Sequence, residues 1–206
     1  MSQNQIGFIG AGNMGGALLA GIQAKKPEMS TAAYDILPAA CEKARKLGDN
    51  AVFTRTIPNM PAMVGAGITL MSFEEALTPQ ERQEIRSVFE CVGTVTEIPE
   101  HLLDAGMTGS SASPAFTYMY IEALADGVVA LGIPRAQAYE MCAQAVLGAA
   151  KMVLETGLHP GALKDQVCSP GGMTIQGVKA LEEGGFRYSV IAAEEAAFKK
   201  SQEMAK

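Results

Sequence analysis

Apolar residues follow different periods in the two halves of the chain, and the change falls near Leu103. In the first half, short apolar runs predict strands over residues 5–9, 32–35, 51–56, 67–73 and 92–98, with helices after the first, second and fourth of them. The segment Thr78-Pro79-Gln80-Glu81 is a capping box, which predicts that the last of these helices starts there and runs to about residue 90. This alternation predicts an α/β, Rossmann-like domain with a parallel sheet over residues 1–103.

The second half shows helical spacing throughout and no convincing strand. Helices are predicted over 114–131 and 135–156, then on both sides of a glycine-containing loop at 169–172, and from Gly184-Gly185 to the end. The helix over 135–156 is rich in Ala and Met and apolar on most sides, which is typical of a helix buried in a core or a subunit interface. Residues 104–206 are therefore predicted to form an all-α domain.

Composition and charge exclude several classes of protein. With 48% apolar and 18% charged residues, the chain is expected to fold, and a net charge of −6 without a basic stripe argues against nucleic-acid binding. No apolar run is long enough to cross a membrane, and the N-terminus lacks the features of a signal peptide. The four cysteines are far apart, which favours a reducing cytoplasm, and neither histidine has metal-ligand spacing, so no metal site is expected.

A glycine-rich turn follows the first predicted strand and opens a helix. Its glycines stand in G-x-G-x-x-G spacing, which permits a tight turn and close approach of a pyrophosphate to the backbone. Asp35 closes the second predicted strand, where an acid bonds a ribose hydroxyl and favours NAD over NADP. A chance glycine turn is the alternative, but strand, helix and acid in this order favour a dinucleotide site. The residues of this predicted site are Gly10, Ala11, Gly12, Asn13, Met14, Gly15 and Asp35.

Two further loops carry candidate chemistry. The segment Ser169-Pro170-Gly171-Gly172-Met173-Thr174 precedes a helix, and its open backbone and two hydroxyls suit a small anion such as a carboxylate. From spacing alone, a plain N-cap loop is favoured. Pro58 and Asn59 lie in a loop after a strand, where they are placed to line a cofactor crevice, although a plain turn is favoured by the pattern alone.

Several segments together resemble the pyrroline-5-carboxylate reductase family, in its order and spacing. The resemblance covers residues 1–47 and 51–206 and is strongest in the C-terminal half. The segments that carry it are IGFIGAGNM (6–14), PNMPA (58–62), IEALADG (121–127), AQAVLGAAK (143–151), HPGALKD (159–165), SPGG (169–172) and EEGGFR (182–187).

The resemblance implies a function. In this family a Rossmann domain precedes a helical domain whose long helices interlock two subunits, which implies a homodimer or a higher homo-oligomer. The implied reaction is reduction of 1-pyrroline-5-carboxylate, a small imino acid, to proline, the last step of proline biosynthesis, with NADPH or NADH. Ser169, Gly171, Gly172 and Thr174 are then expected to hold the substrate carboxylate, with the hydroxyl of Thr174 touching the substrate. Pro58 and Asn59 are expected to line the nicotinamide crevice.

Departures from the family pattern leave two alternatives open. The family's S-G-S-G-P-A is SSASPA at 110–115 here, and Met60 replaces a usual Thr. Between Asn50 and Ala51 a block of roughly seventy residues is missing, a large part of a two-half Rossmann domain. One alternative is therefore a non-catalytic helical dimer that has lost cofactor binding. The other is a different NAD(P)-dependent dehydrogenase, for example of a small β-hydroxyacid, with Lys151 as the candidate base.

Overall fold

The computed structural model describes residues 6–9, 31–34 and 54–204. The predicted dinucleotide-binding residues Gly10, Ala11, Gly12, Asn13, Met14, Gly15 and Asp35 lie outside these ranges, as does the junction between Asn50 and Ala51. The two short described ranges are strands β1, Ile6–Ile9, and β2, Thr31–Tyr34. They pair in parallel, with Ile6 opposite Thr31 and Ile9 opposite Tyr34, as expected for the start of a Rossmann-like domain.

A second sheet contains three strands in the order β3-β4-β5, which are Thr54–Pro58, Gly67–Phe73 and Gly93–Glu97. Strands β4 and β5 are parallel and are joined through helix α1, Pro79–Phe89, and a 3₁₀ turn, Glu90–Val92. A parallel pair needs such a crossover. Strand β3 departs from the expected parallel sheet, because it runs antiparallel to β4. Only a short connection containing the 3₁₀ turn Met60–Val64 separates these two strands, which is too short for a crossover.

One hydrophobic core lies between α1 and this sheet. Met71 and Val88 are fully buried, and Phe73, Ile85 and Val95 pack against the buried group. The buried members of the cluster are Ala62, Met71, Val88, Phe89, Cys91 and Val92. Apolar residues of α1 thus face β4 and β5, which fixes the strand-helix-strand unit that the sequence predicted.

A short helical segment follows β5 that the periodicity did not predict. It contains a 3₁₀ turn, Glu100–Leu102, helix α2, Leu103–Met107, and a π-helical turn, Thr108–Ala112. Below, Thr108–Ala112 is called the π turn. It leads directly into helix α3, Ser113–Ala130.

The remaining elements are helical, as predicted, and the structure describes no strand between residues 103 and 204. After α3 come α4, Arg135–Thr156, α5, Pro160–Val167, α6, Met173–Glu183, and α7, Phe186–Met204. Helix α4 has the predicted bounds. Among the described residues, none of the helices is long and apolar enough to cross a membrane.

The chain divides into two compact units, one comprising Met1–Pro114 with Lys200–Lys206 and the other Ala115–Lys199. The domain assignment drawn from the sequence, 1–103 and 104–206, stays a prediction. Within the second unit, which the structure describes in full, three residues are buried: Ala125 on α3, with Ala138 and Cys142 on α4. Partly buried apolar side chains from Ile121 to Ile133 pack against them. The buried core of this unit is therefore small.

Candidate functional site

The loop between α5 and α6 has a backbone path that requires glycine. Gly171 has a φ of 68°, in the left-handed region that other residues avoid. The N–H of Gly172 donates to the carbonyl of Ser169 at 3.0 Å. A Cβ atom on Gly172 would lie 2.3 Å from the Ser169 Oγ and 3.2 Å from the Ser169 carbonyl oxygen, so a larger residue at position 172 would displace the hydroxyl. The structure therefore brings Ser169, Gly171 and Gly172 together in one tight turn.

This turn delivers the chain to an uncapped helix N-terminus. Gly172 is the N-cap of α6 and has no side chain to accept from the first-turn N–H groups, and no acidic residue lies in that turn. Thr174 lies half-buried in the first turn, whereas Met173 before it is 91% exposed. A helix N-terminus with unpaired N–H groups attracts an anion, and the neighbouring hydroxyls add donors. The arrangement is chemically suited to a carboxylate.

The nearest cation on the preceding helix is already engaged. Lys164 forms an ion pair with Asp165 at 2.5 Å, and this hydrogen bond raises the pKa of the Lys164 ammonium. Lys164 therefore stays charged, but an adjacent carboxylate largely offsets its charge. Attraction of an anion to the loop consequently depends on the N–H groups of α6 and on the hydroxyls of Ser169 and Thr174.

The second candidate loop begins at the end of β3, and its side chains are bound within the first unit. Asn59 is only 5% exposed. Its Oδ1 accepts from the N–H of Ile68 at 2.9 Å, and its Nδ2 donates to the carbonyl of Ser110 at 2.9 Å. The Ser111 Oγ donates to the carbonyl of Pro58 at 3.3 Å. That Pro58 and Asn59 line a nicotinamide crevice stays a prediction, and the structure adds that the amide of Asn59 makes one donor and one acceptor bond within the protein.

The pairing of β1 with β2 bears on the predicted dinucleotide residues. Ile9 and Tyr34 are register partners at the carboxyl ends of two parallel strands. Gly10 and Asp35 are the next residues of the chain after these partners. Ligands of such sheets bind beyond the carboxyl ends of the strands. The role of the glycine-rich turn and of Asp35 stays a prediction, because these residues lie outside the described ranges.

The histidine and lysine side chains considered as catalytic or metal-binding groups make other contacts in the structure. Among the described residues, no cluster of His, Cys, Asp and Glu is arranged to hold a metal ion. The His159 Nδ1 accepts from the N–H of Gly161 at 3.0 Å and so caps α5. Lys151, the candidate base of the dehydrogenase alternative, lies exposed on α4 in an ion pair with Glu155 at 3.4 Å. Neither residue is placed against the α5–α6 loop by any described contact.

The periodicity of the sequence missed the π turn and its contacts with Pro58 and Asn59. A signal was present in the run of small polar residues TGSSAS over 108–113. Ser and Thr in a helix often bond back to carbonyls one turn earlier and distort it. Ser110 and Ser113 do so here, with Oγ atoms that donate to the carbonyls of Gly106 and Gly109 at 2.9 and 2.6 Å.

A Rossmann-like α/β half followed by a helical half defines the class of this protein, and comparisons define its family. Residues 100–204 match the family described as pyrroline-5-carboxylate reductase dimerisation. The pyrroline-5-carboxylate reductase of Escherichia coli is 48% identical over 163 residues, which cover 79% of this chain and 61% of the relative. That of Methanosarcina acetivorans is 36% identical over an alignment that covers all of both chains. The chain belongs to the pyrroline-5-carboxylate reductase family.

Solved structures agree with this assignment. A pyrroline carboxylate reductase of Plasmodium falciparum, solved with NADP bound, has a TM-score of 0.81 at 25% identity and covers 98% of this chain and 100% of its own. A pyrroline-5-carboxylate reductase of Coxiella burnetii has a TM-score of 0.87 at 24% identity, covers both chains completely and supports the fold. The Rossmann-like and helical fold class expected from the sequence is thereby confirmed.

The length of the chain differs from that of its relatives. It spans 61% of the Escherichia coli protein. The alignment with the Methanosarcina acetivorans protein runs over 269 positions, whereas this chain has 206 residues, so part of that relative has no counterpart here. The placement of the missing block between Asn50 and Ala51 stays a prediction.

Proposed function

We propose that this chain reduces 1-pyrroline-5-carboxylate to proline with NADPH or NADH. The observation that carries the proposal is the loop at 169–172, which leads into the uncapped N-terminus of α6 in a chain of this family. A tight turn, unpaired N–H groups and two hydroxyls form an anion site that suits the carboxylate of an imino acid.

The chemistry requires position and charge rather than a strong base. When bound, reduced nicotinamide would supply the hydride that the carbon of the C=N bond accepts, and the nitrogen would take up a proton from water. The N–H groups at the start of α6 and the hydroxyl of Ser169 hold the substrate carboxylate, and Gly171 and Gly172 keep the backbone open for it. The hydroxyl of Thr174 contacts the imine nitrogen and orients the ring, which fits a contribution by positioning.

Cofactor binding falls to the first half of the chain. Gly10, Gly12 and Gly15 hold the pyrophosphate together with the backbone of Ala11, Asn13 and Met14, and Asp35 bonds the adenosine ribose. The parallel pairing of Ile9 with Tyr34 supports this, since Gly10 and Asp35 directly follow these two register partners in the sequence. Pro58 and Asn59 line the nicotinamide crevice. We place the enzyme in the cytoplasm, in keeping with free thiols at Cys91, Cys142 and Cys168.

We also propose that the chain acts as a homodimer or a higher homo-oligomer. The second unit buries only three of its residues, yet large apolar side chains stand exposed on α3, α4 and α7. An apolar surface of this extent marks a protein interface. A second copy of the same helices is the occupant that the family assignment favours.

A cofactor titration of the full chain tests the proposal. We expect saturable binding of NADPH or NADH below millimolar concentration, followed by loss of the reduced cofactor when 1-pyrroline-5-carboxylate is added. Failure to bind either cofactor at millimolar concentration overturns the reductase assignment. If the chain then still sediments as a dimer, it is the non-catalytic helical dimer. The shorter length of this chain relative to its relatives favours that alternative.

A further inference from the structure

Asn59 is a buried amide whose acceptor and donor are both used, and they join two separate parts of the chain. Its Oδ1 accepts from the N–H of Ile68 in β4, and its Nδ2 donates to the carbonyl of Ser110 in the π turn. We propose that Asn59 is a positioning residue that couples the loop 58–61 to the π turn and so sets the position of that loop. That this loop faces the nicotinamide rests on the proposed function. The coupling itself rests on these contacts.

On the sheet side, the amide oxygen adds one bond beyond the last paired residues. The register of β3 with β4 ends at Pro58 opposite Thr69. The Asn59 Oδ1 lies 2.9 Å from the N–H of Ile68, the next residue along β4. Because Asn59 is almost fully buried, removal of this acceptor leaves Ile68 without the partner that the structure provides.

On the other side, the π turn is itself held firmly. Gly106 packs so closely that a Cβ atom there would lie 2.7 Å from Leu70 Cδ1 and 2.8 Å from Ile98 Cδ1. The hydroxyl of Thr108 donates to the carbonyl of Ala105 at 2.9 Å, and that of Ser110 donates to Gly106. The segment that carries the carbonyl of Ser110 therefore has contacts of its own besides the bond to Asn59.

The two bonds of Asn59 require an amide rather than a carboxylate at this position. One acceptor and one donor on the same planar group are needed, and at neutral pH an aspartate supplies only acceptors. An ionised Asp at position 59 would direct its second oxygen at the carbonyl of Ser110 and repel it. A protonated Asp would restore the donor. Arg55 on β3 is itself paired, 3.0 Å from Asp104 of α2 and 3.6 Å from Glu100 of the preceding 3₁₀ turn.

Three variants of the full chain test the coupling: Asn59→Ala, Asn59→Asp and, as a control, Val64→Ala, whose side chain is 81% exposed. The first readout is hydrogen exchange of the Ile68 amide without cofactor. We expect exchange to be at least about tenfold faster in Asn59→Ala and unchanged in the control. In Asn59→Asp, the carboxylate still offers an acceptor to Ile68 but repels the carbonyl of Ser110, so near pH 8 displacement of the loop should make exchange faster. Near about pH 5 exchange should be slow again, after correction for the intrinsic rate, as burial raises the pKa of the new carboxyl.

The second readout is steady-state reduction of 1-pyrroline-5-carboxylate by NADPH. We expect kcat to fall roughly ten- to hundredfold in Asn59→Ala, because the loop at the nicotinamide loses its position. The KM for the imino acid should stay within about twofold, since the residues proposed to hold its carboxylate are unchanged. In Asn59→Asp, kcat should recover at low pH relative to the unmodified chain at the same pH.

The outcomes separate this inference from the proposed function. Equal Ile68 exchange in the unmodified chain and both Asn59 variants overturns the coupling, whether or not the protein is active. Altered exchange with unchanged kcat overturns the positioning role. An unmodified chain that binds no cofactor overturns the proposed function, while the exchange experiment still decides the coupling.

Discussion

At the scale of single residues, Thr174 is the side chain on which the substrate proposal most depends. It is half-buried in the first turn of α6, directly after the glycine turn. We expect Thr174→Ala to lower kcat/KM for the imino acid at least about tenfold, since a contact made to the reacting part of the substrate is lost. Thr174→Ser keeps the hydroxyl and should retain most of the activity. Unchanged steady-state constants in Thr174→Ala would show that the assigned role is wrong.

The capping box of α1 makes a second prediction at this scale, about pH. The Glu81 carboxylate accepts from the backbone N–H of Thr78 at 2.9 Å and from its hydroxyl at 2.8 Å, and these bonds lower the pKa of Glu81. A carboxyl whose pKa is lower in the folded state stabilises the fold above its ordinary pKa of 4.5. This stabilisation is lost as the pH falls through the lowered value.

Unfolding by urea at a series of pH values from about 7 to 3 measures this contribution. The stability difference between the unmodified chain and Glu81→Gln should shrink as the pH falls below 4.5. Thr78→Ala removes the hydroxyl cap and should lower stability at neutral pH by about 1 kcal/mol. A difference between the chain and Glu81→Gln that is constant across the series would contradict the assignment.

At the scale of elements, the contact of α3 with α4 depends on small residues. Ala125 and Ala138 are completely buried where the two helices meet. A larger side chain there forces the helices apart, so we expect Ala125→Leu or Ala138→Leu to destabilise the chain by about 1–3 kcal/mol. Ala136→Leu, on the exposed side of α4, is the matched control and should have little effect. Equal thermal unfolding of all three variants would mean that the helices do not pack closely.

Local signals in the sequence were sufficient to predict where some of these helices begin and end. Helix α4 begins after Pro134 and ends at Thr156, before Gly157, whose φ of 65° stops the helix, and both flanking residues can be seen in the sequence. The capping box marked the start of α1 in the same way. Such features act within a few residues of chain, and for that reason the sequence alone predicts them.

Other elements depend on contacts between distant residues. Whereas the antiparallel direction of β3 follows from its short connection to β4, the π turn is held by bonds such as Asn59 to Ser110 and Ser111 to Pro58, which span about fifty positions. No periodicity records such a bond. The loop at 169–172 was predicted only in part. Its glycines can be seen in the sequence, but the packing of Gly172 against the Ser169 hydroxyl cannot.

At the scale of the whole molecule, the helical half and the Rossmann-like half differ in how well the comparisons support their part in the proposed function. The helical half matches its family over residues 100–204, whereas the chain as a whole spans 61% of the Escherichia coli relative. If the missing block lies in the Rossmann-like half, dimer formation and cofactor binding are separable properties. The first then depends on residues that are present, and the second on a shortened domain.

Dimer formation is accordingly the prediction that the described residues support most directly. Leu147 and Leu154 are seven residues apart on α4, so they lie on one face, and Leu154 is 82% exposed. We expect Leu147→Arg or Leu154→Arg to convert the dimer to a monomer in sedimentation velocity, because a buried unpaired charge opposes association. Gln137→Arg adds the same charge at an exposed polar position of α4 and should leave the dimer intact. If both leucine variants remain dimeric, this face of α4 is not the interface. If the unmodified chain is a monomer, a partner other than a second copy must cover the exposed apolar side chains of its helical half.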